Sequence, residues 1–242
     1  MIEPSAARDA AAAWQPQLPG GRSARDLADA LVEPAWGGVR VVVAVDGDGI
    51  AAYAHGEPLA IPGELAAALG GAFRALDAVI EGHLTTEALR TGEGAFPPEP
   101  TVERPSLFIP RALRERGRDG TRAGARAGAR DLRPGPSPEE VAALEALAAG
   151  EPHAFVATDL LWLDGQSLLE IPLLERKRWL EHALAETPLV RVSAFVRASS
   201  VVTLAGWRSL GFTELSYRGV NSRYLPGLEN PDWAVALAPG KP

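Results

Sequence analysis

The chain contains no cysteine, which excludes disulfides, thiolate metal sites, cysteine nucleophiles and thiol redox chemistry. Lysine is almost as scarce: it occurs only at Lys177 and Lys241, and arginine supplies the remaining positive charge. A high-GC coding bias produces the same arginine and alanine excess. The scarcity still limits any reaction that needs a free amine, because a guanidinium stays protonated. No apolar run approaches the roughly 18 to 20 residues needed to cross a bilayer, and the start of the chain lacks a basic stretch followed by a hydrophobic one. The expectation is a cytoplasmic protein without a membrane partner. A formal net charge of -7 and a pI near 5.2 argue against a uniformly basic surface, so any grip on nucleic acid has to be local.

What is present is enough for one substantial core, since 46% of the 242 residues are hydrophobic. Residues 1–21 are rich in Ala and Pro and stop at Pro19-Gly20-Gly21, which reads as a flexible tail. Ser23 has the chemistry of a helix N-cap, with Asp26 in the first turn and a helix expected to about Val32. Val39 to Val45 and Ile50 to Tyr53 form two β-prone runs around Asp46-Gly47-Asp48-Gly49, a hairpin signal. Glu64 to Leu76 has helical spacing and Ala78 to Leu84 reads as a strand. Residues 111–136 turn into Arg-Ala-Gly repeats and read as a disordered insert. Ser137-Pro138-Glu139-Glu140 then carries cap, first-turn proline and returning carboxylate, starting a helix to about Ala149. A strand from Phe155 to Leu163, a helix from Leu173 to Leu184, a strand from Leu189 to Val196, a helix from Val201 to Leu210 and a strand from Thr213 to Tyr217 complete the pattern. Helices mixed with antiparallel strands point to an α+β domain over residues 22–237, followed by a short tail at 238–242.

Several stretches, in order, carry a resemblance to a known family. Phe155-Val-Ala-Thr-Asp-Leu-Leu-Trp-Leu-Asp-Gly165 followed by Pro172-Leu-Leu-Glu-Arg176 resembles the strand, turn and helix around the base-binding wall of the adenylation domain of ATP-dependent DNA ligases, especially the bacterial end-joining type. Leu210-Gly211-Phe212, Ser222-Arg-Tyr224-Leu-Pro226-Gly227 and Pro231-Asp232-Trp233 are similar to that family's final strands. The resemblance implies a ligase-type nucleotidyltransferase (ATP-grasp-like) fold, with ATP and Mg²⁺ as cofactors and DNA or a DNA-repair protein as partner, in repair and recombination.

The family's chemistry starts with a lysine amine attacking the α-phosphate of ATP, in the pattern Lys-x-Asp-Gly-x-Arg. The matching segment is Ala35-Trp36-Gly37-Gly38-Val39-Arg40, so alanine stands at the nucleophile and Gly37 at the aspartate. An arginine elsewhere cannot replace that amine. The family's Asp-Gly-Glu matches Glu81-Gly82-His83, its adenine-stacking aromatic matches Thr158, and its next motif falls on Thr213, Glu214 and Arg218. Its two terminal phosphate-binding lysines fall on Val235 and Leu237. The resemblance therefore leaves Trp36, Gly38, Arg40, Glu81, Thr158 and Arg218 as nucleotide-binding candidates and assigns neither a catalytic residue nor a metal ligand. Lys177 and Lys241 are expected in solvent, Asp159 as a hydrogen-bonded strand carboxylate and Asp164-Gly165 as a turn. The expected function is a degenerate, non-catalytic ligase-like domain. The alternatives are a nucleic-acid accessory module acting through the Arg-rich insert, a nucleotide sensor using Arg40 and Arg218, and an active ligase with an atypical nucleophile such as His83.

Overall fold

Strand β-propensity and a row of tight turns build the largest of three sheets, the smallest being a lone pair of short strands. The structure, a computed structural model, describes residues 6–21, 23–27, 29–86, 136–198 and 201–238. The Arg-rich insert at 111–135, Lys241 and the end of the chain from residue 239 lie outside the described residues. The strands are β1 (Leu18–Pro19), β2 (Ala30–Pro34), β3 (Val39–Asp46), β4 (Gly49–Ala54), β5 (Glu57–Leu59), β6 (Ala78–Thr85), β7 (Ala154–Leu163), β8 (Gln166–Ser167), β9 (Val190–Val192), β10 (Val196–Arg197), β11 (Glu214–Gly219), β12 (Glu229–Asn230) and β13 (Trp233–Leu237). The helices are α1 (Ala6–Ala13), α2 (Gly63–Ala72), α3 (Pro138–Ala148), α4 (Leu173–Ala183) and α5 (Val201–Ser209). A seven-stranded sheet runs β5-β4-β3-β6-β7-β8 with β9 parallel to β7, and a four-stranded sheet runs β10-β2-β11-β13. This is the α+β arrangement of mainly antiparallel sheets flanked by helices.

The hairpin signal is realised. Asp46 Oδ1 accepts from the Asp48 amide at 2.9 Å and Gly49 takes φ +108°. His55 and Gly56, at φ 52° and 84°, make a second tight turn that adds β5. Ser137 Oγ accepts from the Glu140 amide at 3.2 Å, which starts α3 as its sequence implies.

Three expectations fail for identifiable reasons. After Ser23, whose hydroxyl accepts from the Arg25 amide, only a single 3-10 turn forms (Ala24–Asp26). Ala30–Pro34 are instead the strand β2, because every one of them is buried between β10 and β11, and burial on both faces suits a central strand rather than an amphipathic helix. Residues 6–19, read as tail, instead form α1 and β1. Ala7 and Ala11 are fully buried against β3, β4 and β6, and β1 pairs with β12. Alanine is the strongest helix former, and its small side chain lets a helix lie close on a sheet. The run from Leu189 to Val196 is not one strand. It breaks at Ser193, so that β9 joins the large sheet and β10 the small one, and the chain crosses between sheets there.

The main core lies on one face of the large sheet, under α2, α3 and α4, with Val41, Val43, Ile80, Phe155, Leu160 and Leu180 among its members. The opposite face meets the small sheet and carries the candidate residues. Alternation along β3 puts Arg40, Val42 and Ala44 on this second face.

Gly82 sits at a register shift in β6, where an added Cβ would stand 2.5 Å from the Phe155 ring and from the Val156 carbonyl oxygen. Gly82→Ala is expected to cost about 1–3 kcal/mol through overpacking, read as a lowered urea midpoint at unchanged slope.

Candidate functional site

Between the two sheets the chain buries five charged side chains in one network. Glu33 leaves β2, Arg218 leaves β11, Asp159 leaves β7, and Arg176 and Lys177 come from α4. Arg218 donates from Nε to Glu33 Oε1 at 3.1 Å, from Nη1 to Asp159 Oδ2 at 3.1 Å and from Nη2 to the Thr158 carbonyl at 2.8 Å. Arg176 holds the other side of Asp159 in a bidentate grip, Nε to Oδ1 at 2.7 Å and Nη2 to Oδ2 at 2.9 Å. Lys177 Nζ donates to Glu33 Oε2. Lys177 is 0% exposed, which corrects the expectation that it lies in solvent. The helical pattern explains why: Leu173, Arg176, Lys177 and Leu180 recur at the i, i+3, i+4, i+7 spacing of one buried stripe, so both cations face inward.

Burial pushes both carboxylates toward the neutral form, and the cations overrule it. Glu33 ends below its ordinary value of 4.5 through Arg218 and Lys177, and Asp159 below 3.8 through Arg176 and Arg218. Burial lowers Lys177 below 10.5, with Glu33 opposing. For Arg218, burial works against the charge, yet Glu33 and Asp159 raise its pKa further above the ordinary value.

Beside this network lies a second polar group. Arg40 donates from Nη2 to Glu81 Oε1 and from Nη1 to the Gln17 carbonyl at 3.0 Å, and its guanidinium stacks 4.9 Å from the Trp233 ring centroid. Thr158 Oγ1 donates to the Glu81 carbonyl oxygen at 3.3 Å. His83, opposite Arg40 in the sheet register, is driven down to a pKa of about 3 by burial first and then by Arg40, with a backbone hydrogen bond to Gly37 opposing. It is a neutral imidazole. Burial, with Glu81 next in effect, raises the Tyr224 hydroxyl well above its usual pKa, so a neutral phenol sits near that carboxylate.

The structure thus brings together Arg40, Glu81, Thr158 and Arg218. It places Trp36 elsewhere, in the core beneath the small sheet, edge-on to Phe212 at 4.8 Å with Nε1 donating to Ser193 Oγ at 3.0 Å. Gly38 serves the backbone: at φ +90°, its absent Cβ would lie 2.2 Å from the Leu84 carbonyl oxygen. The Ala35 amide donates to the Glu214 carbonyl at 3.1 Å, at the edge of the small sheet. A cavity of about 210 Å³ lined by Asp26, Asp29, Asn221, Ser222 and Asp232 includes none of the candidates in its lining. Glu33 and Gln17 went unnoticed in the sequence. The signal for Glu33 was a carboxylate inside the otherwise apolar Ala30-Leu-Val-Glu-Pro34, which has to find a buried partner.

The carboxylates present are committed to cations of the chain and do not suit a Mg²⁺ clamp. Glu81 is bound by Arg40 and Asp159 by two arginines, and among the described residues no three His, Cys, Asp or Glu side chains gather as a cation ligand set.

The fold is that of the nucleotidyltransferase domain of ATP-dependent DNA ligases, by its likeness to solved ligase structures. Among solved structures, the ligase domain of LigD from M. tuberculosis matches at TM-score 0.55 and 19% identity, covering 93% of this chain and 60% of that one. A mycobacterial DNA ligase D complexed with ATP and MES matches at TM-score 0.53 and 20% identity, covering 92% and 59%. The chain therefore spans about 60% of the length of these structures. No family model and no curated protein matches the sequence. No described helix is long and apolar enough to cross a membrane.

Glu33→Gln leaves Arg218 and Lys177 without their shared carboxylate and is expected to cost about 3–5 kcal/mol, measured by urea unfolding at pH 7. His83 gives a separate pH signature. Its folded pKa of about 3 lies below the ordinary 6.5, so on acidification the unfolded chain gains a proton that the folded chain refuses. Stability contributed by the neutral form is complete above pH 6.5 and is lost as pH falls toward 3. Glu33 and Asp159 add their loss only below 4.5 and 3.8. In His83→Gln the drop in unfolding free energy between pH 7 and pH 5 is expected to shrink.

Proposed function

We propose that the chain is a degenerate, non-catalytic ligase-like domain that forms no covalent lysyl-nucleotide. One observation carries this reading. Where the resembling family has its nucleophilic lysine stands Ala35, and Lys177, the one lysine among the described residues, has its amine in a buried pair with Glu33. An amine attacks a phosphorus centre only when deprotonated and within reach. Burial does favour the neutral amine, but Lys177 is enclosed on all sides and bonded to a carboxylate. His83 is neutral, yet it is half-buried opposite Arg40 in the sheet register, with its Nδ1 shielded from solvent.

The remaining candidates support a binding role without chemistry. Arg40, Glu81 and Thr158 stand together, whereas Arg218 is neutralised internally by Glu33 and Asp159 and is not free to meet a phosphate. The sensor role expected of Arg40 and Arg218 together therefore narrows to Arg40. The likeness to LigD ligase domains supports a setting in DNA repair, in the cytoplasm, with DNA or a repair protein as partner.

The test is incubation with α-labelled ATP and Mg²⁺ or Mn²⁺, followed by denaturing electrophoresis beside an active ligase. The expected outcome is no labelled band from this chain. A band that maps by peptide mass to any residue would overturn the reading and name the nucleophile.

A further inference from the structure

The face of the large sheet that carries Arg40 and Glu81 is covered by the chain's own residues 6–17. Ala7 and Ala11 of α1 pack on Val42, Ala44 and Val79, on the side to which alternation assigns Arg40. Arg8 makes a two-pronged bond to Asp46, Nε to Oδ2 at 2.8 Å and Nη2 to Oδ1 at 2.9 Å, at the far end of β3. Trp14 leans on Trp162 at 6.3 Å. Gln17 closes the near end, its carbonyl on Arg40, its amide donating to the Tyr224 hydroxyl at 3.3 Å and its Oε1 accepting from Asn230 Nδ2 at 2.8 Å.

Under and beside this cover, three buried side-chain atoms have no hydrogen-bond partner among the described residues: Arg40 Nε and His83 Nδ1, on residues opposite one another in the register, and Glu81 Oε2. A donor and, in the neutral imidazole, a neighbouring ring nitrogen left unsatisfied in one place call for an explanation. The cover itself supplies only one carbonyl to Arg40. No residue of 6–17 belongs to the main core, to the core beneath the small sheet or to the five-charge network, so both sheets keep their internal support if α1 lifts. The contact surface of α1 is mostly alanine, which interlocks little with the sheet.

We propose that residues 6–17 form an intramolecular latch that occupies the nucleotide cleft, and that the Arg40, Glu81 and His83 centre binds a nucleoside triphosphate non-covalently only when the latch lifts. This rests on the ligase-like reading and adds regulation to it. A binding-competent state that is only fractionally populated weakens apparent affinity by that fraction, so opening the latch should tighten binding without any new contact.

The experiment uses the full chain and its Ala11→Arg and Arg8→Glu variants, the first too large for a fully buried alanine and the second repelled by Asp46. Elastase cleavage within 6–17, whose alanines are common to all the variants, reports latch opening, near-ultraviolet circular dichroism reports the body, and equilibrium dialysis with labelled ATP reports binding. The expected result is an opened latch on a folded body with ATP affinity raised about tenfold or more, and lost again when Arg40→Ala is added. An opened latch with unchanged affinity, or an unaltered chain that binds ATP as tightly as the variants, would overturn the proposal. Should the variants fail to fold, hydrogen exchange on the unaltered chain at millimolar ATP decides: faster exchange across 6–17 supports the latch, and unchanged or slower exchange sinks it. Covalent label on an opened variant would defeat the non-catalytic reading while leaving the latch standing, and non-covalent binding alone would sustain both.

Discussion

Glu33 is the carboxylate on which the interior depends. It sits in the central strand of the small sheet and receives Arg218 from the neighbouring strand and Lys177 from a helix that packs on the large sheet. Through Arg218 it is joined to Asp159, and through Asp159 to Arg176. Charges this deep are tolerable only when every one has partners, because the desolvation penalty otherwise exceeds any attraction. The two sheets are therefore fixed relative to one another by a network with strict geometric demands, set between apolar clusters that by themselves would tolerate sliding. Such a network contributes more to a unique arrangement than to net stability.

That arrangement accounts for a buried arginine held between the sheets of a ligase-type fold. An arginine pointing between the sheets with no anionic ligand would be an unpaired buried cation. Here Glu33 and Asp159 supply the negative charge from within, and Asp159 is aligned by Arg176. This interior thus reaches electrostatic balance with groups of the chain itself. The neutral His83 fits the same logic, since a second carboxylate at that position would add charge to a centre where Glu81 is already matched by Arg40.

Much of this was legible in residues. β-Prone runs and Asp-Gly turns located β3, β4, β6 and β7, and the capping pattern at Ser137 located α3, because those signals are local. The misreadings share a different origin. β2 carries a plausible capping residue before it, and only pairing on both edges decides for a strand. The alanine stretch of α1 has too little hydrophobic contrast to reveal a packed face, and it is ordered by the sheet it covers. Lys177 was misplaced by the general preference of lysine for water, although its position on the Leu173 and Leu180 stripe pointed inward. For the site, the residue standing at the expected nucleophile position, Ala35, could be read from sequence. The partners that occupy Arg218 could not, since Glu33 is 185 residues away along the chain.

The cleft-facing side of β13 sets a last constraint on any ligand. Trp233, Val235 and Leu237 alternate onto the face that Arg218, Ser216 and Glu214 share across the register. Trp233 is committed to Arg40 and Ser216, whereas Val235 and Leu237 are 40% and 75% exposed. Exposed aliphatic side chains beside a glutamate offer a triphosphate neither charge nor donors. The positive charge not already neutralised by the buried network lies at the other end of the face, at Arg40, where Glu81 and the carbonyl of Gln17 share it. A nucleotide held here would have to be gripped near Arg40 with its outer phosphates in solvent. Such a pose suits recognition and leaves the phosphates without the clamp that transfer requires.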